Sequence, residues 1–196
     1  MLRCFRNCAS RSVVLFRLNE VASLVCGPQS FPQKTQRRPL QAFVDIFERD
    51  PFASKRLHTQ HAILRDLPIK FINELQSKET YNKISELIKK DLSNSYVRVE
   101  VICDRKGFWL KPHCDIKEKL ISCLLFINKY NENESLGTDL YDENLKKIKT
   151  LPYKDNYGYF FSSGPNTWHG MEKKEIKKER RCLQVNYVTF KTDWPV

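Results

Sequence analysis

The 196-residue chain carries 34 Lys and Arg against 23 Asp and Glu, a formal net charge of +11, with a mean hydropathy of −0.54 and seven cysteines. That length suits one domain with a core adequate to fold alone. Charge interrupts every apolar run, which excludes a membrane-spanning helix of about 18 or more apolar residues. An odd cysteine count without a CxxC pair or regular spacing argues against a disulfide framework and a structural zinc site, and fits a soluble protein of a reducing compartment.

Residues 1–40 hold seven Lys and Arg (Arg3, Arg6, Arg11, Arg17, Lys34, Arg37, Arg38) against a single acid, Glu20. This Arg-rich, Ser-containing composition is that of a mitochondrial or plastid transit peptide, or of a disordered tail on a cytoplasmic protein. The apolar Val13–Phe16 stretch is too short for a secretory core, and Arg17 closes it. The expectation is an N-terminal extension over 1–40, outside the fold, followed by one domain over 41–196. Beyond residue 40 the basic surplus is dispersed lysine, and no nucleic-acid motif accompanies it, so a nucleic-acid partner is not expected.

Phe43, Ile46 and Phe47 have helical spacing, closed by Asp50-Pro51. His58 and His61 would share a face on a helix, but no third ligand lies near them, and a structural or surface role is the simpler reading. Asp66-Leu67-Pro68 reads as a helix start, with Ile69, Ile72 and Leu75 following at helical spacing. A second helix is predicted over 79–92, with Tyr81, Ile84, Leu87 and Ile88 on one face and Lys83, Glu86, Lys89 and Lys90 on the other. Two amphipathic helices need an apolar surface to cover.

From Tyr96 the helical period gives way to short β-rich segments: 96–103, 108–111, 120–128, 138–141, 148–151, 158–162, 167–171 and 182–190. Turn or charged stretches such as Asp104–Gly107, Asn131–Glu134 and Ser162–Pro165 separate them. The predicted fold is mainly β with a helical preamble: a double-stranded β-helix, or jelly roll, over about 96–190, with supporting α-helices on one face.

The chemistry concentrates in Lys111-Pro112-His113-Cys114-Asp115, answered by Trp168-His169. Two apart at the end of an extended segment, the His113 and Asp115 side chains can point to one face. With His169 they make the 2-His-1-carboxylate set that binds Fe(II) on one face of an octahedron and leaves the opposite positions open. His113, Asp115 and His169 are therefore the predicted metal ligands and the catalytic centre.

From about Val97 to Phe190 the chain resembles the iron(II)/2-oxoglutarate-dependent dioxygenase superfamily, in its prolyl-4-hydroxylase-like branch. The residues that carry the likeness are His113-Cys114-Asp115, the segment 119–128, Gly137–Tyr141, Trp168-His169-Gly170 and the segment 180–187. The resemblance implies that 41–196 is a dioxygenase domain using Fe(II), dioxygen and 2-oxoglutarate, with ascorbate a candidate reductant. A small molecule or peptidyl side chain would be hydroxylated as succinate and carbon dioxide are released.

It further implies a basic residue about ten positions after the distal His that binds the far carboxylate of 2-oxoglutarate. Arg180 and Arg181 compete for that role. Counting by twos puts Arg180, Cys182, Gln184 and Asn186 on a polar face suited to a cavity, and Arg181, Leu183, Val185 and Tyr187 on an apolar face suited to the helices. Arg180 is chosen, its guanidinium matching a carboxylate bidentately, and Arg181 is read as surface or sheet-edge charge. Leu124 would line the cosubstrate pocket. Phe126 stands where many relatives carry a carboxylate-binding tyrosine, so Ser122, Gln184 or another donor must take its place. Gly137-Thr138 resembles the small-residue turn that walls the site. Trp109 and Lys111 flank the metal segment, although a Trp at strand spacing is ordinarily packing.

Candidate substrate loops are 105–107, 116–118, 131–136 and the Lys/Glu-rich 171–178. Two other readings use the same residues: a non-enzymatic jelly-roll or cupin-like metal-binding or sensing module, and a cupin-like enzyme that needs no cosubstrate and would leave Arg180 dispensable.

Overall fold

The computed structural model describes residues 3–6, 12–17, 61–64 and 69–191. Three long strands, β4 (Tyr96–Asp104), β6 (Lys119–Ile127) and β11 (Arg180–Val188), set the architecture, successive residues turning to opposite faces and most of them buried. One set of alternate residues, Val97, Val99, Val101, Leu125, Ile127, Leu183, Val185 and Tyr187, forms a core with Ile72 and Leu75. The other set, including Ile102, Phe126 and Cys182, packs with Leu140 and Met171 of a second sheet. The large sheet is thus buried on both faces, by helices on one side and by the smaller sheet on the other.

Seven strands make the large sheet: β1 (Arg3–Arg6), β2 (Ser12–Arg17), β9 (Tyr157–Ser162), β6, β11, β4 and β3 (His61–Leu64), in that order. The second sheet is β5 (Leu110–His113), β10 (His169–Met171), β7 (Asp139–Tyr141) and β8 (Lys147–Thr150). Every pairing is antiparallel, giving the expected jelly roll. All eight segments read as strands between 96 and 190 are strands, their ends moved by at most two residues.

Helices α1 (Ile69–Leu75) and α2 (Lys78–Ile88) cover the outer face. Ser77 caps α2, its Oγ accepting from the Thr80 N–H at 3.2 Å. Two tyrosines tie the layer down. Tyr187 donates to the Leu75 carbonyl at 3.0 Å, and Tyr81, edge-on to Tyr187, donates to the Ser95 carbonyl at 3.0 Å.

The helix expected to reach Leu92 ends earlier, because Lys89 takes a left-handed conformation (φ 54°) that turns the chain and drops Leu92 into the core. His61 lies in a strand beside β4 and not on a helix; the run His61–Leu64 pairs residue for residue with Asp104–Val101. Residues 1–40 were expected to stand outside the fold, yet β1 and β2 come from this segment. The Val13–Phe16 run, too short for a signal core, is long enough to pair with β9. The helix expected over 42–52 lies outside the described residues, as does His58.

Two glycines allow close approaches that shape the site. A Cβ on Gly170 would sit 2.7 Å from the Leu110 carbonyl oxygen, so its absence lets β10 lie against β5, where His169 is opposite His113. A Cβ on Gly137 would fall 1.5 Å from the Leu151 carbonyl oxygen. The expected turn there is defined by this contact and not by φ, which is an ordinary −71°.

Candidate metal centre and the cavity behind it

His113 closes β5, Asp115 follows two residues on, and His169 opens β10; the antiparallel register sets His169 directly opposite His113. Their ligand atoms lie within 4.8 Å of one another, with Asp115 Oδ1 4.0 Å from His169 Nε2. No other group of three or more such ligands occurs among the described residues. His113 Nδ1 is 2.9 Å from the Lys111 carbonyl oxygen, and His169 Nδ1 is 2.8 Å from that of Thr167. A carbonyl can only accept, so each Nδ1 carries the proton and each Nε2 lone pair is free for a metal.

Asp115 is held equally firmly. Ser122 and Ser163 donate to Oδ2 at 2.6 and 3.1 Å, and Lys119 donates to Oδ1 at 2.7 Å. Burial would raise its pKa, but His169, Lys119 and the Ser122 hydroxyl outweigh that and hold the carboxyl below its ordinary value. Burial pushes the His169 pKa down, against the pull of Asp115, and favours the neutral, ligating imidazole. Cis donors about 2.1 Å from an octahedral ion are roughly 3 Å apart. A spread of at most 4.8 Å closes to that with small side-chain adjustments, so the trio fits a ferrous ion.

Behind the trio the residues of the large sheet that face away from the helices stand in rows, read from the register. The first is Phe161–Ser122–Asn186–Arg98, the second Tyr159–Leu124–Gln184–Glu100, the third Tyr157–Phe126–Cys182–Ile102. Arg180 and Asp104 face each other beyond these. Of the two arginines, Arg180 is the one on the face away from the helices. Its Nη1 bonds Asp104, its Nε donates to the Leu136 carbonyl at 2.6 Å, and its guanidinium lies 5.4 and 5.7 Å from the Phe126 and Tyr153 ring centres. Burial would lower its pKa; Cys182 and Asp104 more than offset this, and the group stays cationic. Nη2 has no acceptor among the described residues.

Phe126 is fully buried between Tyr153 and Tyr159. Leu124 is half-buried on the same face. Ser122 is engaged with Asp115. Gln184 faces the cavity, its Nε2 3.5 Å from Asn186 Oδ1, but lies four residues, about 13 Å, along β11 from Arg180. Arg181 is not the surface charge expected of it: it is buried, paired with Glu179, and donates to the Tyr130 hydroxyl at 3.0 Å. Of the metal-flanking residues, Trp109 is exposed, as is Lys111.

Two further hydroxyls on this side of the large sheet, those of Tyr159 and Thr138, were not marked as donors by the sequence. Tyr159 donates to Thr138 Oγ1 at 2.8 Å and lies in the row next to that of Ser122, which bonds Asp115. Its signal was present in the alternation Tyr157, Tyr159, Phe161. Asp104 was hidden because it read as the first residue of a turn, whereas it is the last of β4. The 171–178 connection is pinned and not simply solvated. Lys174 bonds Asp139 at 2.8 Å, and the Glu132 carboxylate accepts the N–H groups of Lys177, Lys178 and Glu179, fixing the chain just before Arg180.

No family model matches the chain, and no curated protein matches it by sequence. Solved structures do match. A prolyl-4-hydroxylase from Pseudomonas putida superposes with a TM-score of 0.60 at 12% identity, over 92% of this chain and 94% of that one. An oxidoreductase of the 2OG-Fe(II) oxygenase family from Burkholderia pseudomallei gives 0.53 at 11% identity, over 76% and 77%. A prolyl hydroxylase from Trichoplax adhaerens, solved with a hypoxia-inducible-factor peptide fragment, gives 0.51 at 14%, over 88% and 91%. The chain has the fold of these oxygenases.

Proposed function

We propose that the protein is an Fe(II)- and 2-oxoglutarate-dependent oxygenase that hydroxylates a small molecule or peptidyl side chain, with release of succinate and carbon dioxide. The observation that carries this reading is the arrangement of His113, Asp115 and His169, each imidazole turned ligand-ready by a backbone carbonyl, with a buried cationic Arg180 on the same face of the large sheet as Ser122, which bonds Asp115. The chemistry supplied by a bound ferrous ion is activation of dioxygen, coupled to decarboxylation of the 2-oxo acid.

The protein's own contributions are positional. His113, Asp115 and His169 would hold the metal through two imidazole nitrogens and a carboxylate oxygen. Ser122, Ser163 and Lys119 fix the rotamer of Asp115. Arg180 offers Nη2 to the far carboxylate of 2-oxoglutarate, with the Tyr159 and Thr138 hydroxyls as the polar groups standing in for the tyrosine replaced by Phe126. Leu124 and Phe126 cover the cosubstrate's methylenes and keep water out. Ascorbate serves as external reductant.

The test is thermal stability and turnover together. Mn(II) should stabilise the protein, 2-oxoglutarate should add to that only when the metal is present, and reduced iron should support succinate formation that His113→Ala, Asp115→Ala and Arg180→Met each abolish. Metal binding with no response to 2-oxoglutarate and no succinate would instead favour a metal-binding module without this activity.

A further inference from the structure

Arg98 and Glu100 occupy successive positions of β4 on the face away from the helices, while Val97, Val99 and Val101 point to the helices. Arg98 is in register with Asn186 and Glu100 with Gln184. Ser122 Oγ lies 2.6 Å from Asp115 Oδ2 and 3.3 Å from Asn186 Oδ1, so a continuous polar row leads from a metal ligand across β6 and β11 to Arg98. At a strand spacing of about 4.8 Å, Arg98 stands about 10 Å from Ser122, backbone to backbone.

The pair has unused valence. Its one hydrogen bond joins Arg98 Nη2 to Glu100 Oε1 at 2.6 Å. Arg98 Nε and Nη1 and Glu100 Oε2 have no partner among the described residues. The Glu100 side chain is only 5% exposed, whereas that of Arg98 is 38% exposed and gives a way in. Neither Glu100 Oε2 nor the unpaired Arg98 nitrogens are closed off from solvent, so both free ends of the pair can be reached by a ligand. A simple anion approaching Arg98 meets the charge of Glu100, and a simple cation meets that of Arg98. A ligand carrying both charges on adjacent atoms satisfies both.

We infer that Arg98 and Glu100 form the recognition site for a free, zwitterionic α-amino acid, which is the substrate of the oxygenase centre. Its carboxylate pairs with Arg98, its ammonium with Glu100, and its side chain points along the Asn186–Ser122 row towards the metal. Gln184 and Asn186 supply lateral hydrogen bonds. The reacting end of this assignment rests on the oxygenase reading above; the recognition end stands on the ion pair alone.

The experiment measures binding of each of the twenty free L-amino acids to the full chain loaded with Mn(II) and 2-oxoglutarate, by calorimetry and thermal shift, beside the N-acetyl amides of any that bind. At least one free amino acid should bind, its blocked form at least tenfold more weakly, and Arg98→Gln and Glu100→Gln should each weaken it tenfold or more while Mn(II) affinity is kept. Should Glu100→Gln not fold, Arg98→Gln, at the accessible end of the pair, decides alone. No binding by any amino acid to metal-loaded protein overturns the inference. So does equal binding of the blocked form, which would point to a peptide, or unchanged affinity in the variants. Amino-acid binding that meets these criteria in a protein indifferent to 2-oxoglutarate upholds the recognition site and removes the oxygenase reading.

Discussion

Asp104 faces Arg180 across β4 and β11, fully buried, with the arginine's Nη1 bonded to its carboxylate. Asp104→Asn keeps the shape and removes the charge, leaving a guanidinium supported by the Leu136 carbonyl and two aromatic rings. Removing one partner of a buried pair costs about 3–5 kcal/mol, and because asparagine keeps an acceptor oxygen the lower end applies. For a domain of this size that lowers Tm by on the order of 10 °C. The cosubstrate should respond oppositely. Two carboxylates about 6 Å apart at an effective dielectric constant of about 20 repel by roughly 3 kcal/mol. Relieving that tightens 2-oxoglutarate binding by about 30-fold, once partial relaxation of Arg180 is allowed for. At a fixed, near-saturating concentration the cosubstrate then stabilises the variant by about 2 kcal/mol more than it stabilises the parent. Differential scanning fluorimetry with Mn(II), with and without 2-oxoglutarate, reads both effects. A variant as stable as the parent refutes the energetic role of the pair, and a cosubstrate-induced shift no larger than the parent's refutes Arg180 as the carboxylate anchor.

Ser122→Ala removes the shortest hydrogen bond to Asp115 and should weaken Mn(II) binding by roughly 10- to 100-fold in a calorimetric titration while leaving the fold intact. Gly137→Ala forces a methyl group into the Leu151 carbonyl, a backbone atom that cannot rotate away, and should cost more than about 3 kcal/mol in urea unfolding. Asp139 is buried, and although burial raises its pKa, Lys174, Thr150 and the Glu172 N–H outweigh that and hold it below its ordinary value of 3.8. A carboxyl depressed in the folded state contributes stability above the unfolded value and loses it as pH falls through the folded one. The gap in stability between the parent and Asp139→Asn should therefore be constant at neutral pH and shrink below pH 3.8.

The strands from 96 to 190 were legible because β-branched and aromatic residues cluster between turn and charged stretches, and the two-residue period of a strand separated Arg180 from Arg181. The metal trio was legible because three residue types at that spacing have few other uses together. What the period could not give was charge neutralisation across strands. Asp104 and Arg180 lie 76 positions apart, and Arg181 finds Glu179 beside it and Tyr130 51 positions away. An arginine on the helix-facing side reads as surface until its partners are known. The pairing of β2 with β9 was missed for a related reason: composition made residues 1–40 resemble a targeting segment, while four apolar residues in a row are also what a strand needs.

The two sheets divide the work. The small sheet and the turn after β5 supply the three residues of the candidate metal centre, His113 on β5, Asp115 just beyond it and His169 on β10. The large sheet supplies two cations on the face away from the helices, Arg180 buried and Arg98 partly exposed. β4 supplies an acid for each of them, Glu100 for Arg98 and Asp104 for Arg180, with Ile102 between. Neither acid is needed to hold the metal, and each lowers the local positive potential that an anion would otherwise meet. Changes at the even positions of β4 should therefore alter which molecules are held while leaving metal binding untouched, and changes on β5 or β10 should do the reverse.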